Sequence, residues 1–344
     1  MAVMTNLDKS TNPTVKDVAQ HAGVSTATVS RFLNEPDKLS PKAQKKVSTA
    51  IKALNFVPNF GARVLASNKS HTIGAVVPTL QNAIFATGLQ AFQDRLAEHG
   101  KSLLVAASQY DPEQEHRQIR NLISRGADAL MLVGHDRKPE ALEFLAATKI
   151  PYVVCWADPS DDNIASVGFD NQAAMQDLAR QILDLGHRHI GIIAFDTTIN
   201  DRARQRVQGI LNAAQITGVP KGNITIKTTD YSRAAAAAAA ESILCDAPNT
   251  TVLFCGNDVL ATGAMTAART MGLSIPDDLT VTGFDDLEVA RIVTPELTTV
   301  SVPQLAMGKA AADLLTDMAY ADAQARQVSL DTTVMLRNSH SRPR

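Results

Sequence analysis

Residues 14–33 of this 344-residue chain read TVKDVAQHAGVSTATVSRFL, and this stretch decides how the N-terminal part folds. Thr14 and Asp17 have the spacing of a capping box, which begins a helix, and Gly23 is the residue type that ends one. Ser25 then caps a second helix. Two short helices that are joined by a tight turn containing glycine are typical of a helix-turn-helix.

A third helix follows, so that three helical patterns lie within about 45 residues from Thr14 onward. Ser40 and Pro41 begin it, because a hydroxyl caps the first turn and proline fits the first helical position. We predict that the second helix buries Ala27 and residues 29–33. The third helix should bury the apolar residues at helical spacing, which are Ala43, Val47, Ala50, Ile51 and Leu54.

The charge of the chain is distributed unevenly. Its formal net charge is −2, which taken alone argues against a nucleic-acid binder. Residues 1–70, however, contain ten Lys and Arg against four Asp and Glu, a charge of +6, and the remaining residues carry −8. A basic head on an acidic body indicates an anionic partner for the head, such as nucleic acid.

From Thr72 onward, apolar runs of strand length alternate with helical patterns. One series of strands is predicted at 73–77, 103–106, 129–133 and 152–156, and a second at 190–195, 224–227, 252–255 and 279–283. Such alternation predicts parallel sheets that are covered by helices on both faces. The alanine run 234–240 is predicted to be a packed helix rather than a disordered segment. The fold class is therefore α/β with two lobes, preceded by an all-α head.

Polar and aromatic side chains follow several of these strands, where the ligands of open parallel sheets bind. Amide, guanidinium and carboxylate groups beside aromatic rings suit a polyhydroxy ligand. Asn257 and Asp285 have an alternative role as caps of helices or turns, and Phe85 and Trp156 as plain core. We expect Arg202 and Arg206 on a solvated or ion-paired face.

Several kinds of site are not expected. The three cysteines are too far apart for a disulfide framework, and His187 and His189 lack a third metal ligand nearby. No Gly-x-Gly-x-x-Gly, phosphate loop or Gly-x-Ser-x-Gly elbow follows a strand, so we expect no cofactor and no enzyme. The chain has no apolar run of about 18 residues and no N-terminal signal peptide, so a cytoplasmic protein is expected.

Residues 13–65 resemble the DNA-binding head of the LacI/GalR family of repressors. The matching residues are 14–19, 24–31, Asn34, Ser40, 58–59 and 62–65. The resemblance continues in the body at 186–190, 257–258, 283–286 and 297–300, and it covers nearly the whole chain beyond residue 13.

The resemblance implies a homodimeric transcriptional repressor that binds a palindromic double-stranded DNA operator. Thr26, Ala27 and Arg31 would read bases, whereas Ser25, Thr28, Ser30 and Asn34 would hold phosphates. The hinge would contribute Asn59, Ala62 and Leu65, and Leu65 would wedge into the minor groove. Effector contacts are implied at Asn82, Phe85, Arg204, Tyr231, Asn257 and Asp285, with Trp156 and Gln304 as further candidates.

The expected domains are a head (1–57), a hinge and linker (58–71) and an effector-binding and dimerisation body (72–344). The first lobe would comprise 72–168 and 298–328, and the second 169–297 and 329–344. The texture of 80–86 and 167–171 is similar to the gluconate-repressor branch, so a sugar or a sugar acid such as gluconate is the expected effector. The tail after Leu336 is short and polar without heptads, so no tetramerising coiled coil is expected.

Two other classes compete with the repressor interpretation. A sugar-binding transport protein would share the two-lobed body, but it would need a signal peptide and no head. An α/β enzyme with an appended helical domain would need a nucleophile or a cofactor motif. Membrane association is not expected.

Overall fold

The computed structural model describes residues 13–57, 69–81, 83–159, 164–321, 324 and 326–344, with the side chains of all but Asn34 and Pro36. The chain divides into two compact units, one ending at Ser70 and the other running from His71 to Arg344. Each unit has its own hydrophobic core and is described by itself.

The first unit contains three helices, α1 (Val15–Ala22), α2 (Thr26–Asn34) and α3 (Pro41–Ala53), with a 3₁₀ turn at Pro36–Lys38. Both hydrogen bonds of the predicted capping box are present at Thr14 and Asp17. Gly23 ends α1 in the left-handed conformation, with a φ of 63°. The caps that were predicted for all three helices are thus confirmed, because capping depends on neighbours in sequence.

The core of the first unit is formed by apolar residues from all three helices, with Val18, Val29 and Val47 fully buried at its centre. The prediction that α2 buries Ala27 and residues 29–33 is wrong at three positions, because Ser30 and Arg31 are exposed as well as Ala27. Ala27 is exposed, and α2 instead turns Val29 and the partly buried Phe32 and Leu33 inward. Ala27 lies two residues from Val29, about 200° around the helix, so both cannot face one core.

The second unit contains a six-stranded parallel sheet, the first sheet, in the order β2-β1-β3-β4-β5-β11. Its strands are β1 (Thr72–Val77), β2 (Ser102–Ala107), β3 (Ala129–Val133), β4 (Tyr152–Cys155), β5 (Ser166–Gly168) and β11 (Gln327–Ser329). The helices around it are α4 (Ala83–Glu98), α5 (Pro112–Ser124), α6 (Pro139–Thr148) and α12 (Gln304–Tyr320).

A four-stranded parallel sheet, the second sheet, has the order β7-β6-β8-β9. Its strands are β6 (Ile190–Ala194), β7 (Ile224–Thr228), β8 (Val252–Cys255) and β9 (Thr280–Thr282). The accompanying helices are α7 (Asn171–Leu183), α8 (Asp201–Ile216), α9 (Arg233–Asp246), α10 (Asp258–Thr270) and α11 (Glu288–Ile292), with a 3₁₀ turn at Lys221–Asn223. A separate antiparallel pair joins β10 (Thr299–Ser301) to β12 (Thr333–Met335).

Strand side chains alternate between two cores, as the pleat requires. In β1, Ala75 packs on the side of α4 and α12, whereas Val76 packs on the side of α5 and α6. The alanine run is an ordered part of α9, with Ala236 and Ala240 fully buried. The prediction of a packed helix is therefore confirmed.

Parallel strands place their carboxyl ends along one edge of a sheet, and the loops after those ends supply the site described below. Among the described residues, no helix combines the length and the apolar character that crossing a bilayer requires.

Candidate functional site: an exposed polar helix and a buried polar cavity

Helix α2 presents a row of small and polar side chains to solvent. Ser25, Thr26, Ala27, Ser30 and Arg31 are exposed and Thr28 is half-buried, while Val29 anchors the opposite face in the core. The Ser25 hydroxyl accepts a hydrogen bond from the backbone N–H of Thr28 at 3.1 Å. Short side chains at a helix N-terminus let a phosphate approach the backbone amides and the positive end of the helix dipole.

The other two helices of the first unit carry exposed cationic side chains. Lys16 on α1 is exposed, as are Lys42, Lys45 and Lys46 on α3. Such a surface suits the phosphate backbone of DNA. The remaining predicted DNA contacts, the side chain of Asn34 and the residues Asn59, Ala62 and Leu65, lie outside what the structure describes.

The second unit encloses a small polar cavity of about 10 Å³, room for about one water molecule, between the carboxyl ends of its two sheets. The first sheet and α4 contribute aromatic and apolar walls, and the second sheet and α8 contribute most of the polar groups. The lining residues are Ile84, Phe85, Tyr110, Trp156, Asn200, Arg202, Arg206, Tyr231 and Asp285. Asn82 of the predicted set lies outside the described residues.

Arg206 is the best-connected cation of the cavity. Its Nε donates to Asn171 Oδ1 at 2.9 Å, its Nη1 to the backbone carbonyl of Gly256 at 2.8 Å, and its Nη2 to Asp285 Oδ1 at 3.5 Å. The guanidinium carbon also lies 3.7 Å from the centroid of the Phe284 ring, a cation–π distance. These contacts fix the guanidinium in one orientation at the cavity wall.

Asp285 is fully buried in the same wall. Burial raises the pKa of Asp285 to about 6, and the guanidinium groups of Arg206 and Arg202 act in the opposite direction. Its φ is 104°, in the region that L-residues rarely adopt, and Trp156 across the cavity has a φ of 61°. Backbone strain of this kind is concentrated at functional sites in proteins.

Three buried polar atoms near the cavity have no hydrogen-bond partner. They are Trp156 Nε1, Asp285 Oδ2 and Asn257 Nδ2. Leaving such groups unpaired costs about 1–3 kcal/mol each. One indole donor, one carboxylate acceptor and one amide donor are the complement of a ligand whose hydroxyls both donate and accept.

Tyr110 and Tyr231 line both this cavity and an outer cleft of about 1000 Å³, and Phe195 lines the outer cleft beside them. Phe195 and Tyr231 stack with their centroids 4.5 Å apart, and the centroid of Tyr110 lies 4.6 Å from that of Phe195. Burial raises the pKa of Tyr110 and of Tyr231, so both phenols stay neutral. Tyr110 follows β2 of the first sheet, whereas Phe195 and Tyr231 follow strands of the second, so the rings join the two lobes.

Asp201 and Arg202 form a second polar link between the lobes. Asp201 accepts from Arg202 Nη1 at 2.8 Å and from the backbone N–H of His135, which follows β3 of the first sheet, at 2.5 Å. Burial acts to raise the pKa of Asp201. The charge of Arg202 and the backbone N–H groups of His135 and Arg202 outweigh this effect, so the pKa is lowered. The first turn of α8 is thus held to the opposite lobe.

His187 and His189, which together resemble part of a metal site, lie within hydrogen-bond distance of other groups of the protein. His187 lies 2.9 Å from Thr251 Oγ1 through Nδ1 and 2.9 Å from the carbonyl of Ser341 through Nε2. Within the part of the chain that the structure describes, no three His, Cys, Asp or Glu side chains are grouped to hold a metal ion.

Two family models match the chain. Bacterial regulatory proteins of the lacI family match residues 14–59, and the periplasmic binding proteins and sugar-binding domain of the LacI family match residues 70–338. The chain belongs to the LacI family. The helical head and the two-sheet body are thus the two parts of a LacI-family regulator.

Curated relatives support the same assignment. Catabolite control protein A of Priestia megaterium is 30% identical over 305 residues, which cover 89% of this chain and 92% of that protein. The transcriptional regulator GntR of Escherichia coli K12 is 30% identical over 308 residues, with coverages of 89% and 92%. This LacI-family chain is a DNA-binding transcriptional regulator with a sugar-binding domain, not an enzyme. The family assignment thus confirms that the chain is a regulator of transcription, as the sequence predicts.

Solved structures have the same fold. The Lac repressor dimer bound to operator and the anti-inducer ONPF has a TM-score of 0.85 at 26% identity, covering 96% of this chain and 99% of that one. A CelR–cellobiose complex has a TM-score of 0.71 at 26% identity, with coverages of 95% and 99%. The predicted α/β class with an all-α head is confirmed.

The structure brings most of the predicted effector residues of this LacI-family body together. Phe85, Trp156, Tyr231 and Asp285 line the cavity. Asn257 caps α10 through its Oδ1, which accepts from the backbone N–H of Leu260 at 2.8 Å, so its alternative role as a cap is real. Gln304 Nε2 donates to the backbone carbonyl of Asp285 at 3.4 Å and so contacts the wall from behind.

Arg204 is the predicted residue that the structure does not bring to the cavity. Its side chain is half exposed, and it donates to Asp136 Oδ1 at 2.8 Å and to the carbonyl of Thr197 at 2.7 Å. Arg202 and Arg206 line the cavity instead. They are ion-paired as expected, but they are buried rather than solvated.

Proposed function

We propose that this regulator is a repressor that binds a palindromic operator as a homodimer and is controlled by a small sugar or sugar acid between its lobes. The observation that carries the proposal is the pair of strained residues Asp285 and Trp156, which present unpaired polar atoms at the buried cavity. The adjoining outer cleft of about 1000 Å³ has the volume that a sugar needs, and the inner cavity must widen to admit one. A ligand that pairs these atoms would relieve a cost of about 1–3 kcal/mol for each.

The donors and acceptors of the cavity favour a polyhydroxy compound. Asp285 Oδ2 and Trp156 Nε1 are unpaired, so the first would accept a hydrogen bond from a ligand hydroxyl and the second would donate one. The C–H faces of a sugar pack on aromatic rings, which Phe85, Trp156 and Tyr231 provide.

Two buried guanidinium groups support a carboxylate on that ligand. Arg206 makes only a long contact to Asp285, 3.5 Å, so a ligand carboxylate at normal distance would be the stronger partner. The GntR of E. coli is among the similar regulators, and a GntR structure from Chromobacterium violaceum has a TM-score of 0.72 at 28% identity. Gluconate is therefore the first compound to test, with a neutral hexose as the contrast.

On the DNA side, the exposed face of α2 supports insertion into the major groove. Arg31 would pair with a guanine edge, while Thr26 and Ala27 offer methyl contacts or a single hydrogen bond. Ser25, Thr28, Ser30 and Asn34 would hold phosphates, and Asn59, Ala62 and Leu65 of the hinge would act in the minor groove. The domain and lobe bounds given for the head, hinge and body are part of this proposal.

Regulation would follow from two arrangements of the lobes. A ligand shifts their equilibrium only through its different affinity for the two states. A coupling of about 1–3 kcal/mol corresponds to a change of about 5–150-fold in operator affinity.

A thermal-shift screen over sugars, sugar acids and purines tests the ligand class, with gluconate and glucose as the matched pair. Arg206→Lys should abolish the gluconate shift, and Arg204→Lys should retain it. An effect of equal size from both variants, or stabilisation by purines alone, would reject the sugar-acid proposal. The DNA part fails if no palindromic sequence upstream of its own or neighbouring genes is bound in preference to random duplex.

A further inference from the structure

Helix α12 connects the cavity to the residue at which the chain enters the second unit. Near its start, Gln304 donates to the backbone of Asp285, and Met307 Sδ accepts from the backbone N–H of Trp156 at 3.3 Å. Its last residue is Tyr320. With 17 residues, α12 is about 25 Å long at 1.5 Å per residue.

Helix α12 packs closely against α4 and α4 against the Trp156 ring, at two glycines where a side chain would not fit. A Cβ on Gly308 would lie 2.2 Å from the carbonyl oxygen of Gly88, and a Cβ on Gly88 would lie 2.7 Å from the Trp156 ring. Farther along, the Asp313 carboxylate accepts from Arg95 Nε at 2.7 Å. Close-packed elements transmit displacement rather than absorb it. A movement of the Trp156 ring therefore shifts both helices together.

At the far end of α12, Tyr320 contacts His71 together with Lys101 and Asp128, and we name these four residues the His71 clasp. The rings of Tyr320 and His71 stack at 5.4 Å with 10° between their planes. Lys101 Nζ lies 3.5 Å from the Tyr320 centroid and donates to His71 Nδ1 at 2.9 Å. Asp128 Oδ2 accepts from both the Tyr320 hydroxyl and the His71 backbone N–H, each at 2.7 Å.

The conformation of His71 depends on this clasp. Its φ is 57°, which is unfavourable for a residue with a side chain. Its carbonyl accepts from the backbone N–H of Ser102 as β2 begins beside β1. Ser70 and Lys69 precede it directly, so a shift of His71 displaces the end of the linker that leads to the DNA-binding head.

We propose that Tyr320 is a positioning residue that couples the effector cavity to the linker, with α12 as the rigid connection between them. The proposal rests on the proposed function, in which a ligand in the cleft controls DNA binding. Tyr320 lines neither the cavity nor the outer cleft. It fixes His71 in a geometry that depends on the position of α12, which in turn depends on the walls of the cavity.

Hydrogen exchange on the full-length protein, without ligand or DNA, tests this coupling directly. Gln304→Ala perturbs the cavity end of α12, and Tyr320→Leu opens the clasp. In wild type, Gln304→Ala should speed exchange of the His71, Ser102 and Asp128 amides about fivefold, which corresponds to about 1 kcal/mol of opening free energy. In the Tyr320→Leu background, the same substitution should add no further change.

Tyr152→Leu is the matched control. Tyr152 is a half-buried tyrosine at the start of β4 in the first sheet. It packs in the core on the side of α5 and α6 and does not belong to the clasp. In that background, Gln304→Ala should keep its fivefold effect. Tyr320→Phe preserves the stacked ring while it removes the bond to Asp128, so it should retain part of the coupling.

A purely structural role gives a different pattern. Tyr320→Leu would then lower the melting temperature, and Gln304→Ala would speed exchange by the same factor with or without Tyr320→Leu. An equal factor in the two backgrounds overturns the proposal. Trp156 fluorescence would reveal whether Tyr320→Leu folds. If it does not fold, Tyr320→Phe takes its place, and a Gln304→Ala effect of full size in that background refutes the proposal. Because no ligand or operator enters the experiment, its failure is distinct from that of the proposed function.

Discussion

Replacing Asp285 with asparagine should stabilise the folded protein at neutral and alkaline pH. The carboxyl has a pKa of about 6 in the folded protein against an ordinary value of 3.8, mainly because it is buried. A folded pKa above the unfolded one means that the group stabilises the fold fully below pH 3.8 and loses that contribution as the pH rises through 6. Two pKa units amount to about 3 kcal/mol.

Asparagine copies the neutral carboxyl at every pH, so Asp285→Asn should remove this loss. Its advantage over wild type should grow from about 1 kcal/mol at pH 4.5 to about 3 kcal/mol at pH 8. For a unit of this size, 3 kcal/mol corresponds to a rise of about 6 °C in melting temperature. Asp258, whose pKa is also raised by burial and by Asp285, changes the difference in the same direction.

Urea or thermal unfolding of the full-length protein at the two pH values measures this difference. Trp156 is the only tryptophan and is buried in the cavity wall, so its fluorescence reports the second unit. Asp286→Asn is the control at the neighbouring position. Asp286 accepts from Arg291 and Arg337, so its replacement should destabilise. An Asp285→Asn variant that is less stable than wild type at pH 8, or whose advantage is independent of pH, refutes the reasoning.

Three further predictions concern single positions. Arg206→Lys leaves buried acceptors unpaired and should lower the free energy of unfolding in urea by about 3 kcal/mol. Arg204 is half exposed, so Arg204→Lys should lower it by less than about 1 kcal/mol. Equal losses would contradict the placement of these side chains. Arg31→Ala should weaken operator binding by about 1–3 kcal/mol in a titration and relax the preference at one base pair; an equal loss on all duplexes would show a phosphate contact instead. Gly23→Ala meets no atom within 4 Å but forces a side chain into a φ of +63°, so circular dichroism should show about 1 kcal/mol of destabilisation; an unchanged melt would contradict the assigned turn.

The secondary structure that sequence predicts well is the structure that local interactions determine. Ser25 and Ser40 cap their helices as predicted, and strands such as β3 and β8 have the predicted bounds because they are continuous apolar runs. Four strands, β5, β10, β11 and β12, were not predicted. Each has three residues, too few to show a period, and each forms only because a distant strand pairs with it.

The candidate site is predictable where a residue directly follows a strand and is less so on a helix. Asp285 and Trp156 follow strands, and both line the cavity. On α8, the family resemblance implied Arg204, but the face of the helix decides which arginines reach the cavity. Arg202 and Arg206 are four residues apart and share the buried face with Ile210, whereas Arg204 points away from it.

Tyr110, Asn200 and Phe195 were not predicted as site residues. The available signal was the same as for Trp156: Tyr110 and Phe195 are aromatic residues that closely follow β2 and β6. Asn200 caps α8 by accepting from the backbone N–H of Ala203 at 3.2 Å, and so looks purely structural in the sequence. Only the folded chain shows that Tyr110 and Asn200 line the cavity and that Phe195 packs on Tyr110 and Tyr231 at the outer cleft.

A single titration tests most directly whether the cavity controls the head. An operator duplex is titrated with the full-length protein, with and without the sugar or sugar acid that raises its melting temperature, and then with Arg206→Lys. We predict a change of about 5–150-fold in operator affinity for wild type and no ligand-dependent change for Arg206→Lys, whose affinity without ligand stays near that of wild type. A ligand that stabilises wild type but leaves its operator affinity unchanged would contradict the proposed control.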